Sequence, residues 1–193
     1  ALLDVWLRAA GRSLANHLGA TRDRVPAGVS VGIMGSVAEL LDAVAGYLDQ
    51  GYLRIKLKIE PGWDTEPVAA VRERFGDDLL LQVDANAAYT LADAGHLAGL
   101  DRFGLLLIEQ PLAEDDLVGH AELAGRLATP VCLDESITSA KAAVDAVELG
   151  ACRIVNVKAG RVGGYLEARR LHEAGFPEIQ LVGQNVNSYR PAS

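Results

Sequence analysis

Residues 79–86 read LLLQVDAN, an apolar run closed by a carboxylate at Asp84 and an amide at Asn86. The pattern recurs along the chain. YLRIKLK ends at Lys58, LLLIE at Glu109, PVCLD at Asp134 and RIVNVK at Lys158, so the ends fall 24 to 26 residues apart. A unit of about 25 residues is repeating, and each copy delivers an ionisable group at the end of a strand-like run.

Outward from 79–86, helix-like and strand-like stretches alternate. The spacing predicts helices over 2–18 (closed by Gly19), 37–48 (after Ser36 as N-cap), 66–75, 91–100, 116–127, 139–149 and 164–173. It predicts strands over 29–33, 52–59, 79–84, 105–109, 130–134, 153–158 and 178–182. Nearly continuous apolar strands separated by helices are the mark of a parallel sheet buried on both faces. Repetition at a fixed period favours a (β/α) barrel over a doubly wound sheet. Seven strands are expected where a closed barrel has eight, so the fold class is α/β, an incomplete (β/α) barrel of about seven parallel strands with outer helices. Residues 1–25 read as an N-terminal helix and linker, and 26–193 as the partial barrel.

Composition bounds the rest. The 193 residues are half hydrophobic and 23% charged, enough for one sizeable core. A net charge of −8 argues against nucleic acid or an anionic membrane as partner. No apolar run approaches a membrane span and no signal-peptide pattern is present. Cys132 and Cys152 sit inside apolar stretches and read as two reduced, buried thiols of a cytoplasmic protein. The chain starts at Ala1 rather than Met, as a trimmed chain or fragment would.

Residues two apart on a strand share a face. Lys56 with Lys58, Asp84 with Asn86, and Asn156 with Lys158 therefore point together. The outer face of each strand lies under helices and must be apolar, so these polar groups face the barrel axis at the C-terminal mouth. Asp84, Glu109 and Asp134 fall on strands three, four and five. Three carboxylates converging on one point repel unless a cation lies among them, and all-oxygen ligation selects Mg2+ before Ca2+ or Mn2+. Lys58 on strand two and Lys158 on strand six would face each other across whatever is held there. This set suits removal of a proton next to a substrate carboxylate, with the metal stabilising the enediolate. A lysine accepts that proton only if neutral, and both the metal and Lys56 would disfavour a charged Lys58. Against this stand plainer readings: a single strand-end acid can be a helix cap, alternating lysines can be a half-exposed edge, and GRVGG (160–164) can be a tight turn rather than an anion cradle. The histidines at 17, 96, 120 and 172 show no metal-ligand spacing and read as surface residues.

KLK (56–58), VDAN (83–86), IEQP (108–111), LDES (133–136) and NVKAGRVGG (156–164), in this order, resemble the enolase superfamily, muconate-lactonising subgroup. Within it they are most similar to the actinobacterial o-succinylbenzoate synthase family of menaquinone biosynthesis, over roughly residues 1–173. The resemblance implies that Asp84, Glu109 and Asp134 bind Mg2+, with Mn2+ as a substitute, and that Lys58 is the acid/base. It implies that Lys158 stabilises the enediolate from the other face and that Lys56 and Asn86 are supporting residues. The implied reaction is a dehydration, a carbon–oxygen lyase activity, in which 2-succinyl-6-hydroxy-2,4-cyclohexadiene-1-carboxylate loses water to give o-succinylbenzoate. N-succinylamino acid racemisation, or a related epimerisation, would use the same residues on another small carboxylate substrate.

The resemblance also implies an N-terminal capping domain, which nothing before Ala1 supplies, and final barrel strands. In place of the latter stands GFPEIQLVGQNVNSYRPAS. Residues 176–189 there resemble a strand of the radical-SAM tRNA methylthiotransferases, without a cysteine triad. That combination reads as a chimera or rearranged fragment with a borrowed seventh strand. It leaves an alternative of another class: a non-catalytic partial barrel that binds metal and self-associates through its open edges.

Overall fold

A computed structural model describes residues 2–21, 24, 26–173 and 180–181. The strands are β1 (Gly28–Val31), β2 (Arg54–Lys58), β3 (Leu80–Asp84), β4 (Ile108–Glu109), β5 (Val131–Leu133), β6 (Ile154–Val157) and β7 (Gln180–Leu181). They form one parallel sheet in chain order, β1 to β7. The helices are α1 (Leu2–Ala9), α2 (Leu14–Leu18), α3 (Val37–Asp49), α4 (Thr65–Phe75), α5 (Ala94–Ala98), α6 (Leu117–Ala124), α7 (Ala140–Glu148) and α8 (Tyr165–Glu173). From β1 onward, strand and helix alternate as the 25-residue unit predicts. The resemblance read into 176–189 lies outside the described residues, apart from Gln180–Leu181.

Alternation of side chains decides what each face buries. Ile55, Leu57, Leu81, Val83, Ile108, Val131, Leu133, Val155 and Val157 are all buried. With Leu40 and Val44 of α3, Val68 and Val71 of α4, Leu123 of α6 and Leu171 of α8, they belong to one continuous core. Each such side chain contributes about 2 kcal/mol on burial. The opposite face carries the polar residues of the strands.

Two helical predictions are interrupted. The segment 2–18 is two helices rather than one, because Gly11 takes a left-handed φ of 60° and Ser13 caps the N-terminus of α2. The segment 91–100 is a short 3-10 turn (Leu91–Asp93), then α5, then a second 3-10 turn (Gly99–Phe103). α1 buries Leu7 but leaves Leu2, Val5 and Trp6 exposed. Cys132 and Cys152 are free and buried; burial pushes the Cys152 thiol up to about 12. No helix among the described residues is long and apolar enough to cross a membrane.

The sheet is tied together at its N-terminal end by Arg72, which α4 projects into a set of carbonyls. Its Nε donates to Phe103 O at 2.7 Å, its Nη2 to Gly104 O at 3.1 Å and its Nη1 to Leu79 O at 2.8 Å. Nη1 also donates to Gly76 O and Asp77 O. These carbonyls lead into β3 and β4, so one guanidinium fixes where both strands begin. Arg72→Met should cost roughly 3 kcal/mol or more, since several carbonyls lose a charged donor together. Arg72→Lys should recover less than half of it, because an ammonium lacks the planar fork. Urea unfolding measures both, and an unchanged midpoint in Arg72→Lys would contradict this role.

A candidate cation and proton-transfer site

The hydrogen-bond register places the strand-end groups more finely than the sequence period does. Lys58 pairs with Asp84, Asp84 with Glu109, Glu109 with Cys132 and Cys132 with Ile154. Asp134 is thus two residues beyond the row that holds Asp84 and Glu109. β5 and β6 continue in that register, so Lys158 lies two residues beyond the partner of Asp134. In a tilted, sheared sheet this stagger offsets strand tilt and brings the groups toward one level at the mouth.

Lys56, on the same face as Lys58, sits between the first two carboxylates. Its Nζ lies 3.0 Å from Asp84 Oδ2 and 2.8 Å from Glu109 Oε2. Lys58 donates to Asp84 Oδ2 at 2.7 Å and also to Asn86 Oδ1. On the other side, Lys158 Nζ is 2.6 Å from Asp134 Oδ2 and Arg161 Nη1 is 2.5 Å from Asp134 Oδ1. All three acidic residues are at most 1% exposed. Charges so far from water persist only when met by counter-charges and hydrogen bonds, and here four cationic side chains surround three anions.

Titration follows from these contacts. Burial disfavours the charge on Lys56, but Glu109 and Asp84 outweigh it and hold its pKa above the ordinary lysine value. Burial likewise opposes the charge on Asp84, and Lys56 and Lys58 outweigh it, leaving its pKa below the ordinary carboxylate value. Glu109 goes the other way: burial, with Asp84 beside it, raises its pKa against the pull of Lys56.

Asn86 donates through its backbone N–H to Asp84 Oδ1 at 3.1 Å and through Nδ2 to Glu135 Oε1 at 2.9 Å. Its φ of 43°, followed by 63° at Ala87, turns the chain sharply after β3. Lys58 and Asn86 also line a cavity of about 340 Å³ with Ile33, Ile59 and Glu60. GRVGG forms a turn with φ of 91° at Gly163 and 118° at Gly164, a conformation that favours glycine.

Four further residues of the site were not singled out by sequence reasoning. Arg161 grips both the side chain and the carbonyl of Asp134. Asn156, fully buried, donates to Glu109 Oε1 at 2.8 Å; its sequence signals are the face it shares with Lys158 and its place at the head of NVKAGRVGG. Glu135 and Gln110 lie within LDES and IEQP, but no spacing or face-sharing assigned either a role. The surface reading of the histidines fails at His120, which is fully buried. Its Nε2 accepts from the Leu112 N–H at 3.2 Å and its Nδ1 is 2.7 Å from the Asp116 carbonyl. Burial lowers its pKa, so it is a neutral strut beneath the loop after β4. His96 is half-exposed and 2.8 Å from Asp64; the His172 side chain lies outside the described residues.

The donor set fits a hard divalent cation. The candidate ligands offer oxygen only, and the gap between Asp84 and Glu109 already seats an ammonium. In the arrangement described, with lysines and Arg161 on the acids, no three Asp, Glu, His or Cys side chains among the described residues are grouped to hold a metal. Lys56→Met should therefore cost roughly 3 kcal/mol near pH 7 in metal-free buffer, because Glu109 is left without a cation and Asp84 with one fewer. Asp84, with its depressed folded pKa, contributes stability above the ordinary carboxylate range, and that contribution is lost as pH falls through the folded value. The penalty of Lys56→Met should therefore shrink on acidification past about pH 4, where protonation of the acids removes the need for a counter-charge. Denaturant titrations across pH would contradict this by showing a constant difference.

Comparison with known proteins places the chain in a family. The enolase C-terminal domain-like family matches residues 39–175. An N-succinylamino acid racemase from Amycolatopsis is 72% identical over 173 residues, 90% of this chain and 47% of the relative. An o-succinylbenzoate synthase from Geobacillus kaustophilus is 52% identical, over 90% of this chain and 46% of the relative. The chain thus spans about half the length of these relatives. A solved enolase-superfamily protein from Enterococcus faecalis superposes with a TM-score of 0.87 at 44% identity, covering 95% of this chain and 50% of that one. An L-talarate dehydratase from Polaromonas, solved with Mg and L-glucarate, gives 0.82 at 31% identity, covering 95% and 54%.

Proposed function

Because the chain belongs to the enolase superfamily and carries its C-terminal domain, we propose that its strand-end lysines and carboxylates serve proton transfer next to a substrate carboxylate. The observation that carries this reading is the ammonium of Lys56 lodged between Asp84 and Glu109, with Lys58 and Lys158 in ion pairs on either flank. Asp84, Glu109 and Asp134 would hold Mg2+, or Mn2+ in its place. When bound, the cation would neutralise the negative charge that builds on the substrate carboxylate as the proton leaves.

The protein groups have separable tasks. Lys58 takes the proton from the carbon next to the carboxylate, and can do so only as the neutral amine, after leaving its ion pair with Asp84. Lys158 approaches from the opposite flank. In a dehydration the neighbouring carbon loses its hydroxyl, which takes the proton Lys58 has just gained and leaves as water while a double bond forms and Lys58 returns to the neutral amine. In a racemisation Lys158 returns a proton to the other face of the same carbon. The first outcome is that of the o-succinylbenzoate synthases, which share about half of this sequence. The second is favoured by a specific pair of observations: a lysine on each flank, and the higher identity with an N-succinylamino acid racemase.

Two assays separate the outcomes: loss of the cyclohexadiene substrate in the ultraviolet, and exchange of the α-proton of an N-succinylamino acid in D2O followed by NMR. Turnover of neither substrate in the presence of Mg2+ would overturn the reading. Lys58→Ala should lower either rate by at least ~100-fold without weakening Mn2+ binding, since it removes no ligand and frees Asp84 from a competing ammonium. Asp84→Ala should instead weaken Mn2+ binding at least ~10-fold; unchanged affinity would show the ligand assignment to be wrong.

A further inference from the structure

The three strands that carry the carboxylates are joined at their C-terminal ends by one residue, Gln110, through its side chain to β5 and through its backbone to the turn after β3. It follows Glu109 directly and is fully buried. Its Oε1 accepts from the backbone N–H groups of Asp134 at 3.0 Å and Ser136 at 3.2 Å. Its Nε2 donates to Ser136 Oγ at 2.8 Å and to Leu112 O at 3.2 Å. A primary amide has two donors and two acceptor lone pairs, and all four are used. Its main chain completes the link: Gln110 N–H donates to Cys132 O at 2.8 Å, and Gln110 O accepts from the Ala87 N–H at 2.7 Å.

The backbone here is held away from its easy conformations. Gln110 has φ of 39°, Asn86 43° and Ala87 63°, three non-glycine residues in the left-handed region just after β3 and β4. Such conformations persist where the surroundings over-determine them, and they cluster at functional sites. The Ala87–Gln110 hydrogen bond couples the two turns. The amide thus fixes Asp134 against Glu109, and the backbone carbonyl of the same residue ties in the turn that follows Asp84, although the side chain touches none of the carboxylate oxygens.

We propose that Gln110 is the positioning residue of the candidate site, clamping the ends of β3, β4 and β5 so that their three carboxylates form one cation-binding set. The metal-binding half of this statement rests on the proposed function; the clamp itself does not. Glutamate would not serve in its place, since it offers no donor to Leu112 O and would add a second buried acid beside Glu109. Methionine matches the side chain in length and flexibility while removing all four hydrogen bonds.

The test compares the wild-type chain with Gln110→Met, with Ser136→Ala as the milder variant should the first not fold, and with Leu123→Ala as a core control distant from the site. Amide hydrogen exchange needs no metal. Exchange at Asp134 and Ser136 should quicken at least ~10-fold in Gln110→Met while Leu57 of β2 is unchanged, as expected when one local unit opens. Ser136→Ala should show a smaller effect in the same direction at residue 136. Unchanged exchange at both amides would overturn the clamp. Mn2+ titration then reads its consequence: Gln110→Met should weaken binding ~10- to 100-fold, the usual effect of losing a residue that orients ligands, while Leu123→Ala should not. Equal weakening in Leu123→Ala would show a general loss of stability and overturn the positioning role. A wild-type chain that takes up no Mn2+ would count against the proposed function, and the exchange rates alone would then decide the clamp.

Discussion

Lys56 lies between two carboxylates that water scarcely reaches, and the polar face of the sheet depends on that contact. Neither Asp84 nor Glu109 could stay ionised at such burial without a cation, and at 3.0 and 2.8 Å the ammonium answers both at once. Asp134 solves the same problem with Lys158 and Arg161. The strands can therefore present acids to the axis while their other face is wholly apolar. That apolar face holds the helices, and the helices hold the strands in the order that brings the acids together.

The arrangement is also a store of charge ready for exchange. Four cations satisfy three anions in the described state, so a divalent ion entering the set would compete with ammonium groups already seated there. Release of a lysine from its acid and ligation of the acid would then be two sides of one event, which would account for the proposed acid/base groups and candidate ligands sharing the same strand ends. The pKa directions agree with a strained balance: Asp84 is held ionised by two lysines, whereas Glu109, buried and beside another acid, is pushed toward its protonated form.

Much of this was legible in the sequence because it lies in short-range patterns. A run such as LLLQVDAN announces a strand buried on both faces, its last residues announce the mouth, and a 25-residue period announces a β/α repeat. Other features depend on groups far apart in the chain. The period measures the length of the unit, not the offset between strands, so it could not show that Asp134 stands two residues above the row of Asp84 and Glu109. His120 looks like an ordinary helix residue until the loop after β4 folds over it. Arg72 resembles any helix arginine before the carbonyls at 79, 103 and 104 close around it. Gln110 falls within IEQP, but nothing local shows its role, since its partners at 87, 134 and 136 come from other strand ends. The break near Gly11 was more accessible, being a glycine inside a periodic run.

Anomalous diffraction from crystals of this chain grown with Mn2+ would decide whether these carboxylates are the cation's ligands, because it locates the ion against named oxygens. A single strong peak is expected, bounded by carboxylate oxygens of Asp84, Glu109 and Asp134, with Lys58 and Lys158 drawn away from the acids they now pair with. A peak elsewhere, or none at those carboxylates with both lysine ion pairs intact, would contradict it.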